Sequence, residues 1–180
     1  MTSPLTRSLN DLGLAAWFGG SLMGAVGLNG AAAQAEDPTE RVRLATIGWH
    51  RWMPVQTLAM GTHVAAGAVL FADNTGRVVA QSGVGRTAGL KAILTGVAVA
   101  STAYAGLLSR GLRRKVGAAG ATEPSGDTLP EVARRQRRLR RVQWVTPLVL
   151  AGVIVADAQL GEQQRPGAVA SGVLDRVRPG

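Results

Sequence analysis

The chain has 180 residues, enough for one modest domain, and 46% of them are hydrophobic, which is ordinary for a soluble protein. Charged residues make up only 17%, below the usual quarter of a soluble domain, and the formal net charge is +9. The absence of cysteine excludes disulfides, thiolate metal sites and cysteine nucleophiles, and 2 histidines are too few for a multi-histidine metal or haem site within one chain.

The hydrophobic residues are gathered in four blocks, with the charges between them. Each block is close to the ~20 residues that a helix needs to span ~30 Å of hydrocarbon. No block alternates with period two, and within lipid only a helix or a closed barrel satisfies every backbone group. We therefore predict an all-α fold, an integral membrane four-helix bundle that forms a single domain over residues 1–180. The predicted spans are residues 12–33, 52–72, 88–108 and 142–160.

The connection between the first two blocks, residues 34–51, contains a signal for the start of a helix. Asp37 is a good N-cap, Pro38 suits the first helical turn, and Glu40 can reach back to complete a capping box. We expect a short helix here that ends near Arg51 and lies at the membrane interface.

The remaining connections are a loop, a long basic segment and a tail. Residues 73–87 are rich in turn residues and predict a loop. Residues 128–131 give a second capping signal, so the end of the basic loop 109–141 is predicted to run as one helix into the fourth block. The tail, residues 161–180, is polar and contains glycine and proline, which predicts a mobile segment.

Arginine and lysine are distributed unequally between the two sides of the predicted membrane. Ten lie in residues 109–141 and three in residues 34–51, two connections that share a side if the chain crosses four times. Thirteen basic residues therefore lie on this side and six on the other. Because basic residues near span ends stay cytoplasmic, this distribution predicts a cytoplasmic basic loop and both termini outside the cell membrane. We expect this loop to attract anionic lipid headgroups, and no nucleic acid.

An alternative interpretation makes the first block a cleaved signal peptide. Residues 31–35 resemble a small-residue cleavage site, and residues 12–28 resemble the apolar region before one. The preceding segment, however, has only Arg7 against Asp11. Cleavage would also leave three spans and place the basic loop outside, so we predict that the first block is retained as a span.

Small residues line one face of the first block and one face of the third. Such faces let helix backbones approach each other and pack by dispersion. We favour packing within the bundle, and the alternative is a seam for a homo-oligomer or a membrane-protein partner. The faces comprise Ala16, Gly20, Gly24, Gly27 and Ala31 in the first block and Gly89, Ala92, Gly96, Ala100, Ala103 and Gly106 in the third.

The second block has a polar stripe at mid-span. His63 lies near the middle of the block, where ionisable groups are costly and often functional. It therefore indicates a ligand or proton site, or else a neutral histidine that simply hydrogen-bonds a neighbouring helix. The ligand or proton candidates are His63, Gln56, Met60 and Thr95. The candidate hydrogen-bond partners of His63 are Thr95, Thr102 and Asn29.

Two opposite charges lie at the same depth in neighbouring blocks. Lys91 and Asp157 are each about one turn inside the outer end of their spans, and the two helices are joined. We predict an ion pair between them. The alternative is that each side chain extends separately to water.

Two short stretches carry a resemblance to known families. Residues 16–20, AWFGG, and residues 48–52, GWHRW, resemble uncharacterised four-span membrane proteins of actinobacteria and are more distantly similar to copper-resistance D-like membrane families. The resemblance covers the first half of the chain and implies a four-helix fold without an established activity. It suggests that Met60 and His63 could bind copper. No functional residue is carried over from these families, however, and we predict no metal and no cofactor.

Several classes of four-span protein lack their required residues here. Quinone-linked thiol oxidoreductases need a cysteine pair, and small multidrug exporters need a carboxylate in the first span, whereas Asp11 precedes it. The chain has no phosphate-binding loop with Gly-Lys-Ser/Thr and no arguable Ser/His/Asp set. We therefore predict a non-enzymatic membrane protein, an accessory or structural subunit of a larger assembly. The alternative is a small transporter or ligand-binding protein whose polar faces around His63 converge on one water-accessible cavity.

Overall fold

The computed structural model describes residues 3–113, 122–124, 126 and 128–177. Within this part of the chain every regular element is helical, which confirms the predicted all-α class. Four of the described helices are long and apolar enough to cross a membrane, and each contains one predicted span. They are Pro4–Ala33, Pro38–Asp73, Val84–Leu112 and Pro130–Glu162.

The first long helix contains one widened turn. The backbone N–H of Asn29 donates to the carbonyl of Gly24, five residues earlier, which is the π-helical pattern. The extra residue in this turn rotates the following segment relative to the one before it. The elements in chain order are α1 (Pro4–Met23), a π-helical turn (Gly24–Leu28), α2 (Asn29–Ala33), α3 (Pro38–Asp73), α4 (Thr75–Ala80), α5 (Val84–Arg113), α6 (Pro130–Glu162) and α7 (Pro166–Val177).

The helix α3 is longer than the sequence predicts. Asp37 caps it as expected, since its Oδ1 accepts from the backbone N–H of Thr39 at 2.8 Å. Glu40 does not complete the expected capping box and instead forms an ion pair with Arg43 at 2.6 Å. The prediction of a separate interfacial helix is also wrong, because one helix of 36 residues runs through this connection and through the predicted second span. Arginine, glutamate and leucine are all good helix formers, so a change from polar to apolar composition need not end a helix.

The other connections are more helical than their turn residues indicate. The predicted loop 73–87 contains the short helix α4. The continuous helix predicted to lead into the fourth span is confirmed by α6, which begins at Pro130. The tail predicted to be mobile contains α7, a helix that the sequence analysis did not predict. Residues 114–121 of the basic loop lie outside the described residues.

The long helices pack unevenly around the bundle axis. The helix α1 packs against α3 and α6, and α6 packs extensively against α5, whereas α3 and α5 touch each other little. The helices α1 and α6 therefore lie at the centre of the packing, and a gap remains between α3 and α5. The central buried residues are Leu14 and Trp17 of α1, Ala59 of α3, Ala98 of α5, and Leu150 and Val153 of α6.

The two ends of the bundle differ in charge. We call one end the basic end, because it carries Arg110 of α5 and the arginines in residues 134–141 of α6. The start of α3 lies there too, since Val42 and Arg110 line the same cavity. We call the other end the terminal end, where Arg7 hydrogen-bonds Gln164 at 2.8 Å and so joins the two ends of the chain.

The small-residue face of the first long helix is packed from within the chain. A Cβ added at Gly20 would lie 1.9 Å from the ring of Trp52, and one at Gly24 would lie 2.2 Å from the ring of Trp49. Both tryptophans belong to α3, so these glycines make room for its aromatic side chains. At Gly20 and Gly24 this face therefore serves packing inside the bundle, the interpretation that the sequence favours, whereas Ala31 of the same face is exposed.

The small-residue face of α5 is different. A Cβ added at Gly89, Gly96 or Gly106 would have no described atom within 4 Å apart from its own helix and chain neighbours. Ala92 and Ala100 of the same face are exposed. Packing within the chain, the favoured interpretation, is therefore wrong for this face, because α5 packs Ala98, Leu108 and Leu112 against the core instead.

Candidate functional site

A cluster of polar side chains joins the four long helices in the terminal half of the bundle. Each helix contributes one member: Asn10 from α1, His63 from α3, Lys91 from α5 and Asp157 from α6. Asn10 and His63 are each only 1% exposed. We call these four residues the polar cluster.

Asn10 is the hub of the polar cluster. Its Nδ2 donates to the backbone carbonyl of His63 at 2.9 Å, and the Nδ1 of His63 lies 3.1 Å from the backbone carbonyl of Asn10. The Asn10 Nδ2 also lies 3.1 Å from the His63 Nδ1, so this ring nitrogen accepts from the Asn10 amide in one tautomer and donates to the Asn10 carbonyl in the other. Lys91 Nζ donates to Asn10 Oδ1 at 3.2 Å, so the side chains form one continuous network.

Lys91 and Asp157 form the ion pair that the sequence predicts between α5 and α6. The Lys91 Nζ lies 2.5 Å from Asp157 Oδ1, and the two side chains are 14% and 23% exposed. The second oxygen of Asp157, Oδ2, is buried and has no hydrogen-bond partner within the described chain. Within the described chain, the partly buried negative charge of Asp157 is therefore balanced almost entirely by the ammonium group of Lys91.

His63 faces the interior, but its partner is not among those expected. Thr95, Thr102 and Asn29 were the candidates, and Asn10 takes this place because α1 begins at Pro4, well before the predicted span. The spacing of residues along α1 could have indicated that Asn10 faces the interior. The buried residues of α1 are spaced three and four apart, and this stripe begins at Asn10 and continues through Gly13, Leu14, Trp17 and Ser21.

A cavity of about 420 Å³ lies at the gap between α3 and α5 and reaches the basic end. This volume is within the ~300–1,000 Å³ of ordinary small-molecule sites. Gln56 and Met60 of the predicted polar stripe line it, as does Thr102. His63 belongs to the polar cluster instead, and Thr95 belongs to neither region.

Amide side chains organise the wall of the cavity. Asn29 accepts from the indole N–H of Trp49 at 2.9 Å and donates to Gln143 Oε1 at 2.6 Å, so it ties α2 to α3 and α6. Gln56 also lines the cavity, and its Oε1 is buried without a hydrogen-bond partner in the described chain.

Trp17 stands between the polar cluster and the cavity. Its side chain is fully buried, and its ring centroid lies 6.3 Å from that of His63. Its indole N–H donates at 3.3 Å to Thr102, which lines the cavity. Of the residues that the sequence groups into one site, His63 thus lies on one side of this indole and Gln56 and Met60 lie on the other.

Among the described residues, no group of three or more His, Asp or Glu side chains is placed to hold a metal ion. No known family, curated protein or solved structure matches this chain. The resemblance to actinobacterial four-span proteins and copper-resistance D-like families stays a prediction, and the site is interpreted from its geometry.

The geometry of His63 makes its replacement by glutamine and by leucine informative. We expect His63→Gln to unfold near the wild-type temperature in detergent, because the glutamine amide offers Asn10 both a donor and an acceptor. His63→Leu removes the hydrogen bonding between the ring and Asn10, whose backbone carbonyl still accepts from Leu14 within α1, and should lose about 1 kcal/mol, the net contribution of one hydrogen bond. Thermal unfolding of the two variants tests this, and equal stability of His63→Leu and wild type would contradict the hydrogen-bonded role.

Proposed function

We propose that this chain is a non-enzymatic, multi-pass membrane protein that binds a small molecule in the cavity between α3 and α5. The observation that carries the proposal is the convergence of neutral polar side chains from several helices on one cavity of about 420 Å³. Arg110 is the one ionisable side chain among the described residues that line it. General acid–base chemistry uses groups that titrate near neutrality, such as histidine, so this lining favours binding over catalysis.

The terminal end of the bundle is closed, so transport would need a second conformation that opens it. Trp17 and the polar cluster fill the bundle between the cavity and the terminal end. A transporter needs alternate access to its site from both sides. The alternative function in which His63 itself holds the ligand has less support, because Asn10 already occupies its Nδ1.

We propose that the basic end faces the cytoplasm and that both termini lie outside. The support is the thirteen-to-six distribution of basic residues, together with the position of Val42 and Arg110 around one end of a common cavity. The arginines of α6 would then contact anionic headgroups of the cytoplasmic leaflet.

Single cysteines in this cysteine-free chain test the topology. Gly126 and Ser171 are both exposed, one in the basic loop and one in α7. On intact cells an impermeant thiol reagent should label Ser171→Cys, and it should label Gly126→Cys only after permeabilisation. Labelling of Gly126→Cys alone on intact cells would reverse the proposed orientation.

Filling the cavity tests the binding function. Gly106 lines the cavity and Gly96 does not, and both have free space at the Cβ position on the same helix. We expect wild type and Gly96→Leu, purified in mild detergent, to retain the same small molecule when extracts are compared by mass spectrometry. Gly106→Leu should retain on the order of tenfold less, a loss of about 1.4 kcal/mol in binding. Equal recovery from all three proteins would contradict the proposal.

A second candidate function is an accessory or structural subunit of a larger membrane assembly. The observation that favours it is the exposed small-residue face of α5, which includes Gly89 and Gly96. Such a face suits close packing against a helix of a partner or of a second copy. Cross-linking in native membranes should then give a larger species for wild type and for Gly19→Leu, a change at an exposed position of α1, and Gly96→Leu should lose it.

A further inference from the structure

The shape of the cavity restricts what it can hold. Its lining runs along α5 from Val99 to Leu112, about 20 Å of helix at 1.5 Å per residue. A volume of about 420 Å³ spread over that length leaves a mean cross-section of roughly 20 Å². A cavity this long and narrow accommodates one extended hydrocarbon chain better than a compact ring system.

The cavity is open along its side. Met53 and Thr57 of α3 line it and are exposed, and so are Ala103 and Leu107 of α5. These residues flank the gap that remains because α3 and α5 touch little. If the bundle spans a bilayer, as proposed above, this gap faces the acyl chains, so a chain can enter without passing through a polar barrier.

A positive charge lies at one end of this elongated cavity. Arg110 is exposed at the basic end and lines the cavity. Its guanidinium has no hydrogen bond or ion pair with the described residues, whereas Arg140 of α6 pairs with Glu123 at 3.6 Å. No acidic side chain is among the described residues of the lining. The charge distribution therefore favours an anion at this end.

We infer that the cavity binds a single-chain anionic amphiphile, with its hydrocarbon chain between α3 and α5 and its headgroup against Arg110. This inference rests on the proposed binding function and adds the chemistry of the ligand. The shared chemistry is one hydrocarbon chain with a negative head. Two sources supply it: the carboxylate of a free fatty acid and the phosphate of a monoacyl phospholipid.

Spin-labelled lipids measure this selectivity on the full chain in phosphatidylcholine vesicles. The probes are spin-labelled stearate at alkaline pH, spin-labelled lysophosphatidylglycerol, and the uncharged methyl ester of the stearate. We expect at least one anionic probe to show about threefold stronger association than the methyl ester, the size expected for an exposed ion pair. Preference for stearate alone identifies the fatty acid, and preference for the lysolipid identifies the phospholipid.

Variants separate the headgroup contact from the cavity itself. Arg110→Gln should lower the association of the anionic probe to that of the methyl ester, and Arg110→Lys should keep most of the preference. Arg137→Gln is the matched control, because Arg137 is exposed on α6 and does not line the cavity. It should behave as wild type.

The outcomes that overturn the inference differ from those that overturn the binding function. If wild type shows equal association with charged and uncharged probes, or if Arg137→Gln lowers the preference as much as Arg110→Gln does, the headgroup inference fails. The binding function survives that result as long as Gly106→Leu still loses the co-purified molecule. If Gly106→Leu changes neither probe association nor the co-purified molecule, both fail.

Discussion

Replacement of Gly13 by alanine is expected to destabilise the bundle by about 1–3 kcal/mol, the usual cost of overpacking, or more. A Cβ at this position would lie 2.7 Å from the carbonyl oxygen of Ala59 and 2.8 Å from the backbone nitrogen of His63. Both are backbone atoms of α3, so no side chain can rotate away to relieve the contact. The helices α1 and α3 must move apart, and the hydrogen bonds between Asn10 and His63 must lengthen.

A second glycine on the same helix provides the control. Gly19 is exposed, and a Cβ added there would have no described atom within 4 Å beyond its own helix and chain neighbours. Gly19→Ala should therefore show the ordinary preference of helices for alanine and gain up to about 1 kcal/mol. Reversible unfolding in detergent, followed by the combined fluorescence of the 4 tryptophans, compares the two variants. If both alanine variants are equally stable, α1 and α3 do not approach each other as closely as described.

The sequence predicts the number and the approximate position of the long helices because both depend on simple quantities. Residues 52–72 and residues 142–160 are apolar over the length that a spanning helix requires, and the structure places helices there. Helix starts were predicted where a local signal exists, at Asp37 and near Pro130. Helix ends were predicted less well, because a helix continues through polar residues as easily as through apolar ones.

The rotation of each helix about its axis is not encoded in composition. Small-residue faces occur on both the first and third long helices, but only the first packs within the chain. Lipid chains accept small apolar residues as readily as large ones, so hydropathy does not say which face is inside. The two faces differ in the residue that each glycine meets on another helix. Gly20 lies against Trp52 of α3, whereas no described residue of another helix lies against Gly96.

The division of the candidate site has the same origin. Gln56, Met60 and His63 share one face of α3, and the sequence therefore groups them together. In the structure Trp17 enters between them from α1, so that His63 contacts Asn10 while Gln56 and Met60 line the cavity. A single large side chain from another helix separates neighbours on the same face, and no pattern within α3 reveals it.

The Lys91–Asp157 pair is expected to show strong coupling in a double-mutant cycle. Lys91→Met leaves the Asp157 carboxylate without its cation and Asn10 Oδ1 without its donor. Asp157→Asn leaves the ammonium group of Lys91 without its carboxylate. Breaking a buried pair costs about 3–5 kcal/mol, and this pair, being partly exposed, should lie at or below the lower end of that range. The double variant should lose less than the sum of the two, because it leaves no uncompensated charge.

An exposed pair at the same end of the bundle sets the reference for this coupling. Arg165 and Glu162 lie 3.0 Å apart, but their side chains are 74% and 63% exposed. The cycle of Arg165→Met and Glu162→Gln should give a coupling of about 0–1 kcal/mol, since water screens both charges. Free energies of unfolding for all variants in the same detergent give the two coupling energies. If the losses from Lys91→Met and Asp157→Asn simply add, as for the exposed pair, the two charges reach water separately and do not join α5 to α6.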